Sequence, residues 1–229
     1  ADQNLTGAHL QSDLAEAVLS GANLSNTWLW GAGLTGANLT GADLRGAIQA
    51  HALEAVTRNT ILPEGYVNRL VVDHGQLMRV RDYDGREVVG WFPAIHPLPI
   101  TVLEEFAIAR GGRLRIEVEN DPWDSLILFQ PDIPVSLGGT LELTFTSDVD
   151  AATQIGRTLR IFDWSGVNPA GSFQVRVRPR TLWYTSKLYT AGEVTVLPAS
   201  SDITVPTGSS YVAGGLRANS LTLAGNGSR

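Results

Sequence analysis

Acidic side chains recur in close pairs along the chain: Asp82 and Asp84, Glu104 and Glu105, Glu117 and Glu119, Asp121 and Asp124, Asp148 and Asp150. Two carboxylates across a cleft are what hydrolysis of a glycosidic bond requires, one to protonate the leaving oxygen and one to act as base or nucleophile. The contexts of these pairs point elsewhere. Asp82 and Asp84 frame an Asp84-Gly85 turn, Glu117 and Glu119 sit on the outward side of an alternating strand, and Glu104-Glu105 is a solvated charge. A non-catalytic chain is expected, with a polysaccharide-active β-solenoid enzyme as the last alternative.

Metal chemistry is equally thin. His9, His51, His74 and His96 lie too far apart in the sequence for a zinc site. Asn120-Asp121-Pro122-Trp123-Asp124 and Ser147-Asp148-Val149-Asp150 offer oxygens to calcium. Neither follows an established loop pattern, and such residues commonly hydrogen-bond their own turn. There is no cysteine, hence no disulfide, thiolate ligand or thiol nucleophile. No cofactor is expected.

Aromatic residues are the remaining candidates. Trp28 and Trp30 flank Leu29 and would project outward if Leu29 points in. Exposed aromatic surface marks contact sites, so the pair is assigned to packing within or between chains, with stacking on a sugar as the alternative. Trp164 and Trp183 read as core residues. Arg176, Arg178 and Arg180 alternate as the wet face of a strand would. The formal net charge of −6 argues against nucleic-acid binding.

The element that positions Trp28 and Trp30 is a repeat. A leucine returns every fifth residue at Leu14, Leu19, Leu24, Leu29, Leu34, Leu39 and Leu44. Two residues before each stands Ser12, Ala17, Ala22, Thr27, Ala32, Ala37 or Ala42. A period of five fits neither helix nor strand, and a fixed period is the signature of stacked coils around a continuous core. Units such as Ala37-Asn38-Leu39-Thr40-Gly41 and Ala42-Asp43-Leu44-Arg45-Gly46 resemble the pentapeptide-repeat family, with its A-(D/N)-L-x-x consensus. The resemblance implies a right-handed quadrilateral β-helix, four five-residue sides per coil, with the leucine and the small residue inside. Gly21, Gly31, Gly36, Gly41 and Gly46 would turn the corners. Departures are Thr27 in place of alanine, Trp28 at an outward site, and the four-residue step from Leu10 to Leu14.

Leu5 and Leu10 extend the pattern upstream, where no polar capping turn precedes them. An uncapped coil invites stacking, so Leu5 and Leu10 are assigned with the two tryptophans as interface contacts. Some pentapeptide-repeat proteins resemble duplex DNA in shape and charge. Here Asp2, Asp13, Glu16 and Asp43 against Arg45 make too short and sparse an acidic rod for that role.

The chain of 229 residues, 43% hydrophobic, is long enough for one large or two smaller domains. No apolar run could span a bilayer, and Ala1-Asp2-Gln3-Asn4 lacks the basic and apolar regions of a signal peptide. Residues 50–61 break the period and form a connector, helical or irregular. Residues 62–198 carry runs with strand chemistry, such as Leu114-Arg115-Ile116-Glu117-Val118 and Leu141-Glu142-Leu143-Thr144-Phe145, that alternate apolar and polar. This half is expected to be all-β, an irregular β-solenoid or a β-sandwich. The tail, 199–229, is Gly- and Ser-rich with short strand candidates.

Segments such as Val80-Arg81-Asp82-Tyr83-Asp84-Gly85 and Gly156-Arg157-Thr158-Leu159-Arg160-Ile161-Phe162-Asp163-Trp164 resemble a module that follows pentapeptide repeats in secreted bacterial proteins, abundant in planctomycetes. The module is similar to the closing part of autotransporter-like β-solenoid passengers. What this implies is an extracellular or cell-surface location and a structural or adhesive role. The expected partners are copies of the chain or other surface and matrix proteins, with glycans as the alternative. Nucleic acid and membrane insertion are not expected.

Overall fold

The computed structural model describes residues 2–48, 54–83, 98–119, 123, 125–147, 149–177 and 181–198, and the backbone of 203–205, 211–213 and 221–223. The period of five closes into coils of twenty. Parallel bridges join Val18 to Asn38, Asn23 to Asp43 and Trp28 to Ile48, each twenty residues on. Asn4 to Asn23 and His9 to Trp28 span nineteen, because the step from Leu10 to Leu14 is one residue short.

Each part of the repeat has a physical cause. Leu24, Leu29, Leu39 and Leu44 are buried, with Ala22, Ala37 and Ala42 beside them. A narrow tube accepts one large and one small side chain per side. The N–H of the small residue donates to the carbonyl of the preceding leucine, as from Ala42 to Leu39 at 2.8 Å. Thr27, in an alanine position, keeps its hydroxyl satisfied by donating to the Leu24 carbonyl. Where Asn or Asp precedes the leucine it accepts from the N–H two residues on, as Asn38 does from Thr40 at 3.0 Å and Asp43 from Arg45 at 3.1 Å. The next residue then turns the corner with positive φ: Gly21, Gly31, Gly36, Gly41 and Gly46, but also Glu16 and Asn26. Asparagine tolerates that conformation through its short polar side chain.

The stack runs on past the repeats. Val56 pairs with Asn38 and Ile61 with Asp43, each eighteen residues on. Residues 54–61 of the expected connector are therefore laid along the coils, with no helix among them. Residues 49–53 lie outside the described residues, as does the expected Asp84-Gly85 turn.

The strands that follow are β1 (Tyr66–Val72), β2 (Leu77–Arg81), β3 (Ile100–Ile108), β4 (Arg113–Val118), β5 (Ile127–Phe129), β6 (Val135–Leu137) and β7 (Thr140–Phe145). After a 3-10 turn at Ala151–Gln154 come β8 (Thr158–Arg160), β9 (Ala170–Gly171), β10 (Gln174–Val177), β11 (Leu182–Tyr184), β12 (Glu193–Leu197), β13 (Ile203–Val205), β14 (Tyr211–Ala213) and β15 (Leu221–Leu223). The described residues are all-β, without an α-helix. Two open sheets share the strands alternately: β1-β3-β6-β9 in one, with β5 beside β3, and β2-β4-β7-β10 in the other, every pairing parallel. Gly138-Gly139 is thus a corner between sheets. A Cβ on Gly139 would stand 2.6 Å from the Gly112 carbonyl oxygen and 2.7 Å from that of Ala109.

Between the sheets lies one core, with Val67, Leu70, Val102, Phe106 and Ile108 facing Val80, Leu114, Ile116, Leu141 and Leu143. A smaller antiparallel sheet, β14-β11-β12-β8, adds Leu159, Trp183, Val194 and Val196 to that core. Trp183 stacks on Phe145 at 5.3 Å. The repeat leucines form a second, separate core.

Edge strand β2 joins the two parts. Arg81 donates to the Gly21 carbonyl at 3.1 Å, Tyr83 to Asn26 Oδ1 at 2.9 Å, and Arg79 lies 3.6 Å from Asp2. The Asn59 side chain forms two 2.8 Å hydrogen bonds with the backbone of Val71.

Candidate functional site

The first coil, residues 2–20, has one face on the second coil and one face turned away from it. Its hydrogen bonds to the second coil include those through Gln3 O, Leu5 N, Ala8 O, Leu10 N, Ala17 O and Leu19 N, which flank the bridged residues. In a parallel ladder the intervening residue turns its N–H and C=O the opposite way, so Asn4, His9 and Val18 direct theirs away from the stack. Side-chain cover follows the same gradient. Leu5, Leu10 and Leu14 are only partly buried, whereas Leu24 and Leu29 one coil on are enclosed. The first coil is acidic, with Asp2, Asp13 and Glu16 exposed.

Trp28 and Trp30 occupy different environments. Leu29 is buried between them. Trp28 is half-buried in the ladder His9–Trp28–Ile48, its ring parallel to His9 at 5.6 Å and its indole N–H buried without a hydrogen-bond partner. Trp30, at the corner, is 59% exposed and is the more open of the two rings.

The acid pairs do not form a catalytic cleft among the described residues. Glu105 is ion-paired with Arg69 beside exposed Glu104. Asp150 caps the 3-10 turn by accepting from Ala152 N at 3.0 Å, and Asp82 accepts from Tyr83 N at 3.1 Å. Asp84, Asp121, Asp124 and Asp148 lie outside the described residues, as do His51 and His96. No three His, Asp or Glu side chains gather as a metal site among the described residues.

Parallel stacking does bring together a constellation that spacing alone does not show. Glu117 on β4 and Glu142 on β7 line one groove of about 630 Å³ with Arg115, Thr144 and Arg176. Arg115 Nε donates to Glu142 at 2.8 Å, and Glu117 lies 3.5 Å from Arg79, 3.6 Å from Arg81 and 3.8 Å from Arg115. Both carboxylates are thus engaged by guanidinium groups, an arrangement suited to holding charge in place rather than to carrying a proton to a leaving group. The sequence signal was the alternation in β4 and β7; which residues become lateral neighbours depends on the coil length between them.

Titration is perturbed at a few surface positions. The Ser165 hydroxyl and N–H, donating to Asp163 with Arg160 nearby, hold its carboxyl below the ordinary range. Burial raises the Tyr189 phenol.

Comparison with known proteins bears on the N-terminal coils. No curated protein and no solved structure matches the chain. The family described as pentapeptide repeats matches over residues 2–32 and 12–48, in eight copies. With its twenty-residue coils, inward leucines and left-handed corners, the segment 2–48 consists of pentapeptide repeats.

Proposed function

We propose that this chain is a non-catalytic structural or adhesive module of the cell surface or extracellular matrix. Its right-handed quadrilateral coils of pentapeptide repeats are continued by an irregular β-solenoid, and the face of the first coil turned away from the second packs on a further stack, from a second copy or a neighbouring domain. The observation that carries this is the face on which Asn4, His9 and Val18 direct their backbone groups away from the second coil, over the half-covered Leu5, Leu10 and Leu14. An edge with outward N–H and C=O groups above an apolar core is a template for strand addition. The alternation of strands between two parallel sheets supports a solenoid continuation over a sandwich, whose sheets are ordinarily antiparallel.

The test is light scattering on the natural full-length protein, beside Leu5→Lys and Leu10→Lys. The expected result is an assembly that the lysine substitutions dissociate while the fold persists. A monomer at all concentrations overturns the reading. Labelling of intact cells with an antibody against the chain tests the location, and signal only after lysis overturns it.

A second reading, glycan contact, is favoured by the 59% exposure of Trp30. Binding on a glycan array that is lost in Trp30→Ala supports it. No binding across the array overturns it.

A further inference from the structure

The outward face of β2-β4-β7-β10 is a lattice of charges in register. Arg79 stands beside Arg115, Arg115 beside Glu142, and Glu142 beside Arg176. Arg113 lies in the row before, and Arg81 beside Glu117 in the row after. Five arginines and two glutamates therefore share one face of a chain whose formal net charge is −6. Arg113 at 3.6 Å and Arg115 at 2.8 Å hold Glu142. Arg176 is exposed and has no ion-pair partner among the described residues. Over β4, β7 and β10 runs the groove of about 630 Å³, lined by Arg115 and Arg176, by the arginine-engaged Glu117 and Glu142, and by the hydroxyl residues Thr144, Thr146 and Ser147.

We propose that this face binds a linear acidic polysaccharide, carboxylated or sulfated, laid across the strands. Neighbouring strands are about 4.8 Å apart, so Arg115 and Arg176, two strands apart, present cations at about 10 Å along the stack. A polymer with acidic groups at a fixed repeat meets such a row in register, and the hydroxyl residues take its neutral sugar hydroxyls. The choice of cation fits: Lys187 is the single lysine of the chain, and guanidinium forks grip carboxylate and sulfate oxygens in pairs. Single-stranded nucleic acid is a poorer fit, because these four strands place no aromatic side chain outward for a base to stack on. Glu142 acts as a gate on affinity by occupying Arg115. The inference stands independently of assembly through the first coil.

The experiment is titration calorimetry of the full chain at low ionic strength with polygalacturonate, heparin, neutral dextran and a single-stranded oligonucleotide. The expected result is binding to polygalacturonate or heparin, the stronger of the two identifying carboxylate or sulfate, and none to dextran. Arg176→Glu should weaken it about tenfold or more, the worth of a charge-assisted contact. Glu142→Gln should tighten it, a gain that a merely structural role would not produce. Thermal melting of each variant confirms folding. Absence of binding to both acidic polymers, an unchanged affinity in folded Arg176→Glu, or equal affinity for the oligonucleotide overturns the proposal.

Discussion

Asp43 and Arg45 stand two positions apart on one side of the coil, their charged atoms 2.6 Å apart and both side chains almost wholly buried. The pair is enclosed because β2 and the segments at 98 and 125 pack over it. Arg45 donates to the Arg81 carbonyl at 2.9 Å, to Ser125 Oγ at 2.8 Å and to the Leu98 carbonyl at 3.4 Å, and lies 5.1 Å from the Tyr83 ring centre. The guanidinium thus holds Asp43 within its own coil and, through Arg81, Leu98 and Ser125, ties the repeat coils to the β region.

Removing one partner of a buried, hydrogen-bonded pair strands the other charge. Asp43→Leu is expected to destabilise the protein by about 3–5 kcal/mol, and the double variant Asp43→Leu, Arg45→Met by clearly less than Asp43→Leu and Arg45→Met summed. Denaturant unfolding of the single and double variants measures both.

At the stacked corner the clash is with backbone, which cannot step aside. Gly139→Ala would set its Cβ against the Gly112 and Ala109 carbonyl oxygens. A loss of roughly 1–3 kcal/mol is expected in chemical unfolding, the range for overpacking a close-packed site. Gly75→Ala, where a Cβ meets nothing within 4 Å but φ is +79°, isolates the backbone cost alone.

Thr27 tests the tube's tolerance for a hydroxyl. Thr27→Val keeps the shape and removes the donor to the Leu24 carbonyl, with an expected loss of about 1 kcal/mol. Thr27→Ala restores the common residue of the repeat and should cost no more than Thr27→Val. Thermal melts of the two variants decide the order.

Acid should weaken the loop at Asp163. Its carboxyl is held below the ordinary range chiefly by the Ser165 hydroxyl and N–H. The stability it contributes is present above the unfolded pKa, about 3.9, and is lost as pH falls through the lowered folded value. Between about pH 5 and pH 3 the melting temperature of the parent should therefore fall more steeply than that of Asp163→Asn. Equal slopes would show that the carboxylate contributes nothing.

What the sequence by itself determined is the inside and outside of each side. Leucine and alanine at fixed offsets fill a narrow tube, Asn or Asp before the leucine caps the turn, and residues such as Gly41 take the left-handed corner, all through contacts within five residues. The one-residue slip at Leu10 to Leu14 was likewise legible, and returns as the nineteen-residue spacing of Asn4 and Asn23. In the β region alternation sorted Leu114 and Ile116 from Arg115 and Glu117 for the same local reason.

Only the tertiary structure decided what lies beside what. Val56 and Ile61 join the stack although the five-residue period has lapsed, because backbone pairing tolerates a coil of eighteen where side-chain pattern shows nothing. Arg115, Glu142 and Arg176 become neighbours because coils of unequal length bring β4, β7 and β10 into one register. Arg45, an outward residue by its place in the repeat, is buried because another part of the chain covers it. Lateral distance between coils depends on the total length of each turn and on what packs over its faces, and neither is written in the residue's own neighbourhood.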